Sequence, residues 1–573
     1  MSSSALVQYA AFLLAVTLLV KPVGRYMARV FTGESTPLDP LLCPLERLIY
    51  RLTGVQPKSE MRWQEYAQAF VILGMVGTLL LYAILRLQRL LPWFYPAYMT
   101  TPMTPDLAIN TAVSFSTTTT WQAYAGESTL SYFSQMAGLT VQNFLAGAAG
   151  LAVGVAFIRG VARDRVETLG NFWVDLVRSI LWVLLPLSLV GALVLVWQGV
   201  PMNFQAYAQA TGLEGARQTI AQGPVAALEI IKNLGTNGGG FFNANGAHPY
   251  ENPTPLSNFI EMLAIAVLPA AFTHTYGLMV GRPRHGWVLY RVMVLLFVAG
   301  LLVCGWSEQR GNPRFPQALA AQASGTQAGG NMEGKEVRFG ITSSVLAAVT
   351  TSNGATGSYN SMQDSYTPLG GMVPLVNMLL GEIIFGGLGT GIYSIVMIAL
   401  VAVFLAGLMI GRTPAYLGKQ IRASESKMLM LYILASSISI LLFTALAVQT
   451  KAGLAGLVTN TGTHGFTEIL FAYASANANN GQNFAGLTAN TTFYNLTTAI
   501  TMMVGRFGLA IPGLALAGLF AAQQPTPETV GTLPNSSLSF AVLLTCTALI
   551  VSALSYIPAL ALGPILEHLT MVH

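Results

Sequence analysis

Ten stretches of this chain are apolar over a length that crosses a bilayer as a helix: residues 4–22, 63–92, 129–159, 171–199, 255–281, 286–306, 371–411, 427–449, 491–522 and 537–563. Crossing takes about 20 apolar residues at about 1.5 Å each. Few architectures are open to such a chain, because backbone polar groups in hydrocarbon must be satisfied internally. Of its 573 residues, 53% are hydrophobic and only 9% charged, against roughly a quarter charged in soluble domains. The expectation is an all-α polytopic membrane protein with ten transmembrane helices. The net charge of +5 is dispersed over the loops, so no nucleic-acid partner is expected. Cys43, Cys304 and Cys546 lie far apart and match no metal-binding spacing.

The basic residues set an orientation. No positive stretch precedes the first run, and Lys21, Arg25 and Arg29 follow it. That pattern predicts a retained first span with its N-terminus outside. Arg47, Arg51, Lys58 and Arg62 extend the loop after the first span. Arg159, Arg163 and Arg165 follow the third, Arg282 and Arg284 the fifth, and Arg412, Lys419 and Arg422 the seventh. All four loops fall on one side, which the positive-inside rule makes cytoplasmic. The loop at 521–535 has no Lys or Arg. The segment 308–338 falls outside and reads as a polar surface loop.

Four shorter apolar runs, 107–115, 224–234, 339–349 and 465–475, interrupt the pattern. At about 16 Å as helices they are too short to cross. Each is followed by a short polar stretch: STTTTWQ (116–122), GTNGGGFF (235–242), TSNGATGSY (351–359) and ANANNGQNF (476–484). With Thr119, Gly238, Gly357 and Gly481 as markers, the spacings are 119, 119 and 124 residues. The chain therefore reads as four pseudo-repeats of helix, pore helix, filter loop and helix around a central pore. They cover 63–165, 166–284, 285–424 and 425–530, with a span and cytoplasmic loop (1–62) before them and a last span (531–573) after. Irregular backbone at membrane depth is tolerated where it lines a cavity.

Backbone carbonyls at close quarters replace the water shell of potassium. Aiming them inward needs backbone angles that Gly adopts freely and Asn tolerates. The loops are built mainly from Gly, Asn, Thr and Ser, and contain no acidic residue of the kind a divalent-cation site uses. Each short helix also directs its negative C-terminal end at its loop. The expected activity is selective cation binding from outside.

Longer strings carry a family likeness: GTNGGGFFNANGAHPYENPTP (235–255), SQMAGLTVQNFLAG (134–147), DSYTPLGGMVP (364–374), AGLMIGRTPAYLGK (406–419) and YIPALALGPILEHL (556–569). They resemble the potassium-binding A subunits of bacterial Kdp potassium-transporting ATPases, nearly end to end. The resemblance implies potassium uptake across the bacterial inner membrane. It implies three partners besides the lipid bilayer: a P-type ATPase catalytic B subunit, a single-span C subunit and a small F subunit. Potassium would be the bound substrate, with ATP and Mg²⁺ on the catalytic partner and no cofactor in this chain. Matched by position, the filter comprises Thr118, Thr119 and Thr120; Asn237, Gly238 and Gly239; Ala355, Thr356, Gly357 and Ser358; and Asn479, Asn480 and Gly481. Gln122 matches a position implicated in potassium affinity. Thr118 and Thr120 depart from the Asn usual in the family.

The seventh run is about 60 Å long as one helix, twice the hydrocarbon core. It must break, and the glycines Gly386, Gly387, Gly389 and Gly391 mark the place. Glu382 precedes them, and Arg506 lies within the ninth run. An intramembrane charge faces a partner or a cavity, so the glycine run is expected to be a gate beneath the filter, held or tuned by Glu382 and Arg506. Arg412, at the cytoplasmic end, reads as a positive-inside anchor.

No ATP site is legible. GGNMEGKE (329–336) ends in Glu where a phosphate loop needs Ser or Thr, and no HExxH or GxSxG occurs. The chain is expected to be non-catalytic. The alternative is a stand-alone potassium channel-transporter of the same superfamily. A solute transporter of two inverted halves and a membrane scaffold fit the four loops less well.

Overall fold

A computed structural model describes residues 3–90, 99–314, 329–411, 413–527 and 534–572. Arg412 lies outside the described residues, as do parts of the 308–338 and 521–535 segments. Ten helices are long and apolar enough to cross a membrane. They run over Ser3–Thr32, Trp63–Leu90, Ser134–Ala162, Phe172–Trp197, Pro255–Met279, Pro283–Arg310, Thr390–Met409, Ala423–Gln449, Thr492–Ala522 and Leu538–Met571, here spans 1 to 10. The protein is a multi-pass membrane protein. Its only described strands form three two-stranded antiparallel sheets outside the spans.

Four short helices sit where the short apolar runs predict them: Pro105–Ser116, Val225–Leu234, Gly340–Asn353 and Gly462–Asn477. Each packs between the span before it and the helix after it. The start of the first follows helix-capping chemistry. Thr104 accepts the Leu107 amide ahead of Pro105, which suits a first-turn proline lacking its own donor.

Burial sorts the spans into two layers. Spans 3, 5, 7 and 9, which follow the four short helices, are mostly buried. Spans 1, 2, 8 and 10 bury about a quarter of their apolar windows, 28% each, and present exposed Leu, Ile and Val such as Leu14, Leu79, Leu442 and Ile550. Apolar outer faces are what lipid contact requires. The inner helices approach closely through small residues. A Cβ at Gly154 would come within 2.6 Å of the Gly389 backbone, and one at Gly160 within 2.5 Å of Ala517.

Span 7 breaks where expected, into Pro368–Leu379 and, after an irregular segment that holds Gly386, Gly387 and Gly389, Thr390–Ile410. The 308–338 segment is not simply a solvated loop, because Glu308 and Lys335 form a buried ion pair at 2.7 Å. The Lys335 ammonium also lies 3.9 Å above the Tyr366 ring, so this lysine of the GGNMEGKE string is a packing element. Spans 3, 4, 9 and 10 contain π-turns, at Ser134–Thr140, Ser179–Leu184, Val504–Gly508 and Ala561–Ile565, which hydropathy does not reveal.

At the end carrying the basic loops, Arg159 clamps Asp175 through two bonds of 2.6 and 2.8 Å. The Tyr66 hydroxyl adds a third at 3.0 Å. Asp175→Asn leaves the Arg159 charge buried without its partner. Loss of one partner of a buried pair costs about 3–5 kcal/mol, so a clearly lower thermal unfolding midpoint is expected in detergent. An unchanged midpoint would show that water already solvates the pair.

Candidate functional site

The four polar loops share one local geometry. The first residue clear of each short helix has a positive φ: 64° at Thr118, 47° at Thr236, 49° at Ala355 and 49° at Asn479. The next amide turns back onto the helix by the same five-residue step. Thr119 donates to Ser114, Asn237 to Lys232, Thr356 to Thr351 and Asn480 to Ser475, at 2.9–3.1 Å. This alignment corrects the first loop by one residue. Thr120, not Thr119, stands where the others have Gly238, Gly357 and Gly481, giving spacings of 118, 119 and 124. Thr120 keeps the left-handed backbone, φ 50°, beside 83° at Gly238 and 85° at Gly481.

The loops close into a ring. Gly238 pairs with Gly357 across a parallel β-bridge, and a Cβ on Gly238 would overlap the Gly357 backbone. A Cβ on Gly357 would lie 2.9 Å from the Asn480 carbonyl oxygen and 3.2 Å from the Gly481 carbonyl carbon. A Cβ on Gly481 would overlap the Thr119 carbonyl. The Thr120 hydroxyl then donates to the Asn237 carbonyl, returning to the second loop. Gln122 reinforces that last junction: its side-chain oxygen accepts the Gly240 amide at 2.7 Å, and its Nε2 donates to the Gly240 carbonyl at 3.2 Å. Gly239 fits against Thr120 and Gln122. Asn479 donates to the Thr119 hydroxyl at 3.0 Å. The Ser358 amide is held by Thr351 Oγ1 at 3.2 Å, and the Asn480 amide group by the Thr351 and Ser352 carbonyls at 3.1 Å. All fourteen residues expected at the filter belong to this ring or brace it.

Above the ring opens a polar cavity of about 410 Å³ whose lining includes Thr120, Gly357, Gly481, Gln122 and Asn245. Behind it lies a group that spacing did not single out. Lys232 is fully buried. Its ammonium contacts Glu229 at 2.6 Å, Glu251 at 2.5 Å and Asn245 at 3.0 Å. Asn245 in turn donates to the Gly357 carbonyl at 3.2 Å, and Glu251 accepts the Phe242 amide at 2.7 Å. The signal was present in two charges, three residues apart, on a short apolar helix. Glu251, nineteen residues on, gives them meaning.

Beneath the ring lies the break in span 7. Gly381, Glu382, Phe385 and Gly389 there have positive φ. The Leu388 amide donates to Thr236 Oγ1 at 2.8 Å. A Cβ on Gly387 would stand 3.2 Å from both Ala355 Cβ and Glu382 Oε2. Gly386 and Gly391 pack on each other, and Gly389 on Gly150. Arg506 sits within the π-turn of span 9 and donates to the Ala146 carbonyl at 2.8 Å. Among the described residues no ion pair joins it to Glu382. It lies near the break across Gly150, where an added Cβ would overlap the Leu388 carbonyl and stand 3.3 Å from the guanidinium.

Residues 10–569 match the family described as the potassium-transporting ATPase A subunit. This chain belongs to that family. It is 54% identical over 561 residues to a potassium-transporting ATPase potassium-binding subunit of Methylobacterium nodulans, covering 98% of this chain and 96% of the relative. A Methylorubrum extorquens protein of the same description is 55% identical over 98% and 96%. One from Sorangium cellulosum is 52% identical over the full length of both. A potassium-transporting ATPase A subunit is a transporter component and implies a complex with other subunits. The four-loop ring, the cavity above it and the interrupted span below it all fall inside the matched region.

Proposed function

We propose that this chain binds and translocates potassium as the non-catalytic subunit of an ATP-driven uptake complex in the bacterial inner membrane. The observation that carries the reading is the closure of four similar loops into one ring without a carboxylate in it. Potassium sheds water more readily than smaller cations, and a ring of carbonyls and hydroxyls can substitute for that shell. The C-terminal ends of four short helices converge on the ring and favour a cation there. The cavity above is the outward entry, and the four repeats with boundaries near 63, 166, 285 and 425 supply one loop each.

A ring alone would leak. The span 7 break, with Glu382, Gly386, Gly387, Gly389 and Gly391, is the barrier to direct cytoplasmic passage. Its bond to Thr236 couples it to the filter. Arg506 sets the position of the barrier from across Gly150 and repels a cation that passes the ring. Potassium leaves sideways, toward an ATP-hydrolysing B subunit that carries the ATP and Mg²⁺. The C and F subunits complete the complex.

Two experiments test this. Purification in mild detergent should retain a large ATPase subunit, and the preparation should hydrolyse ATP in a potassium-dependent way. An isolated chain that conducts potassium by itself would favour the channel-transporter reading. Arg506→Gln should uncouple the complex, with potassium-stimulated hydrolysis retained but net uptake falling several-fold. Wild-type uptake at wild-type affinity would remove Arg506 from the barrier.

A further inference from the structure

On the same face as the cavity, three segments meet around His464. The short helix Gly462–Asn477 carries His464 and Glu468, four residues apart and therefore on one face. The turn Gln363–Ser365 contributes Asp364, next to the cavity-lining Gln363. The last helix contributes Glu567. His464 Nε2 lies 3.1 Å from Asp364 Oδ1 and 4.0 Å from Glu468 Oε1. One donor atom from each of these three side chains fits within 4.8 Å of the others.

The second observation concerns Glu468. Its side chain is 0% exposed. Asn460 donates to its Oε1 at 2.7 Å, while its Oε2 has no hydrogen-bond partner. A buried carboxylate oxygen without a donor is costly. Gly486 closes the floor: a Cβ there would overlap Glu468 Oε1 and lie 2.7 Å from Asp364 Oδ2. A side chain at Gly486 would therefore collide with both carboxylates.

The other imidazole nitrogen completes the picture. His464 Nδ1 lies 2.7 Å from Glu567 Oε1, and the ring stacks on Phe484 with centroids 5.8 Å apart. A carboxylate on the far nitrogen of a histidine fixes its tautomer and orientation, and raises its basicity toward a metal. We propose that Asp364, His464 and Glu468 form a binding site for a divalent transition cation of the zinc type, with Glu567 orienting the histidine.

The donor set selects the metal class. One imidazole with two carboxylates suits zinc, whereas magnesium and calcium prefer oxygen alone. Tetrahedral zinc with bonds of about 2.0–2.1 Å places its donors roughly 3.3 Å apart, between the two separations seen here. Three protein donors leave one position for water. Binding would tie the end of the third loop region, the fourth short helix and the last span together. Nothing in this site depends on the potassium reading.

The test uses the purified complex, treated with a chelator and desalted, then titrated with zinc chloride against a chromophoric competitor. Wild type should take up one tightly held zinc per copy of this chain. Glu468→Gln keeps the volume and the Asn460 bond and should weaken binding at least tenfold. Glu567→Gln, at a partly exposed position, should weaken it roughly 10–100-fold, which covers the case of a misfolded Glu468 variant. X-ray absorption at the zinc edge should show nitrogen and oxygen ligands with one imidazole. No saturable equivalent in wild type, sulfur ligation from the cysteines, or unchanged affinity in both variants would overturn the site. In that event a protonated His464 alone compensates the carboxylates.

Discussion

Gly238→Ala is expected to raise the potassium concentration for half-maximal ATPase stimulation on the order of 100-fold, equivalent to about 2.7 kcal/mol. Two effects add. Gly238 has φ 83°, where an alanine costs about 1–2 kcal/mol. The larger effect is contact, because the new methyl would overlap the Gly357 backbone of the next loop. The loops must separate, and the separation opens the ring. Gly54→Ala is the control. It has φ 70° and nothing within 4 Å of a Cβ, so it takes the strain without touching the ring. Its potassium dependence should stay that of wild type. Equal effects of the two substitutions would mean that backbone strain, not ring closure, governs the Gly238 result.

Lys232→Met should be as damaging by a different route. The ammonium sits between Glu229 and Glu251 with no exposure. Its removal leaves two buried carboxylates facing each other, at a cost of about 3–5 kcal/mol. The turn containing Asn245 loses an anchor, and the Asn245 bond to the Gly357 carbonyl loosens with it. Both thermal stability and potassium affinity should fall. Combining Lys232→Met with Glu229→Gln and Glu251→Gln removes the unpaired charges and should recover most of the stability, since apolar or neutral replacements of a buried ion cluster are often near neutral. Potassium affinity should stay reduced in the triple variant if the ammonium positions the ring. Full recovery of affinity would confine Lys232 to a structural role.

Much of this architecture is legible in the sequence because hydropathy and length are enough to find spans. The ten runs and the four short helices lie where they were expected, and the span 7 break falls at the glycines. The register of the first loop was not legible, because Thr120 takes a glycine position without looking like glycine. Only the shared amide-to-helix step reveals the match. Lys232 escaped for another reason. A lysine and a glutamate on a short helix look like an exposed pair until Glu251 arrives from beyond the loop. The same applies to Glu308 and Lys335, whose segment reads as polar surface although the pair is buried. His464, Glu468, Asp364 and Glu567 come from three segments, so no spacing rule unites them. For Arg506, an isolated intramembrane charge was visible, but its place near the break across Gly150 was not.

The central claim is that the four loops together hold one dehydrated potassium ion. Thallium(I) mimics potassium in size and scatters anomalously. Crystals of the complex grown in thallium should show an anomalous peak enclosed by the Thr119, Asn237, Thr356 and Asn480 loops, and Gly238→Ala should remove it. A peak elsewhere in this chain with none inside the ring, or a ring peak that survives Gly238→Ala unchanged, would contradict the account.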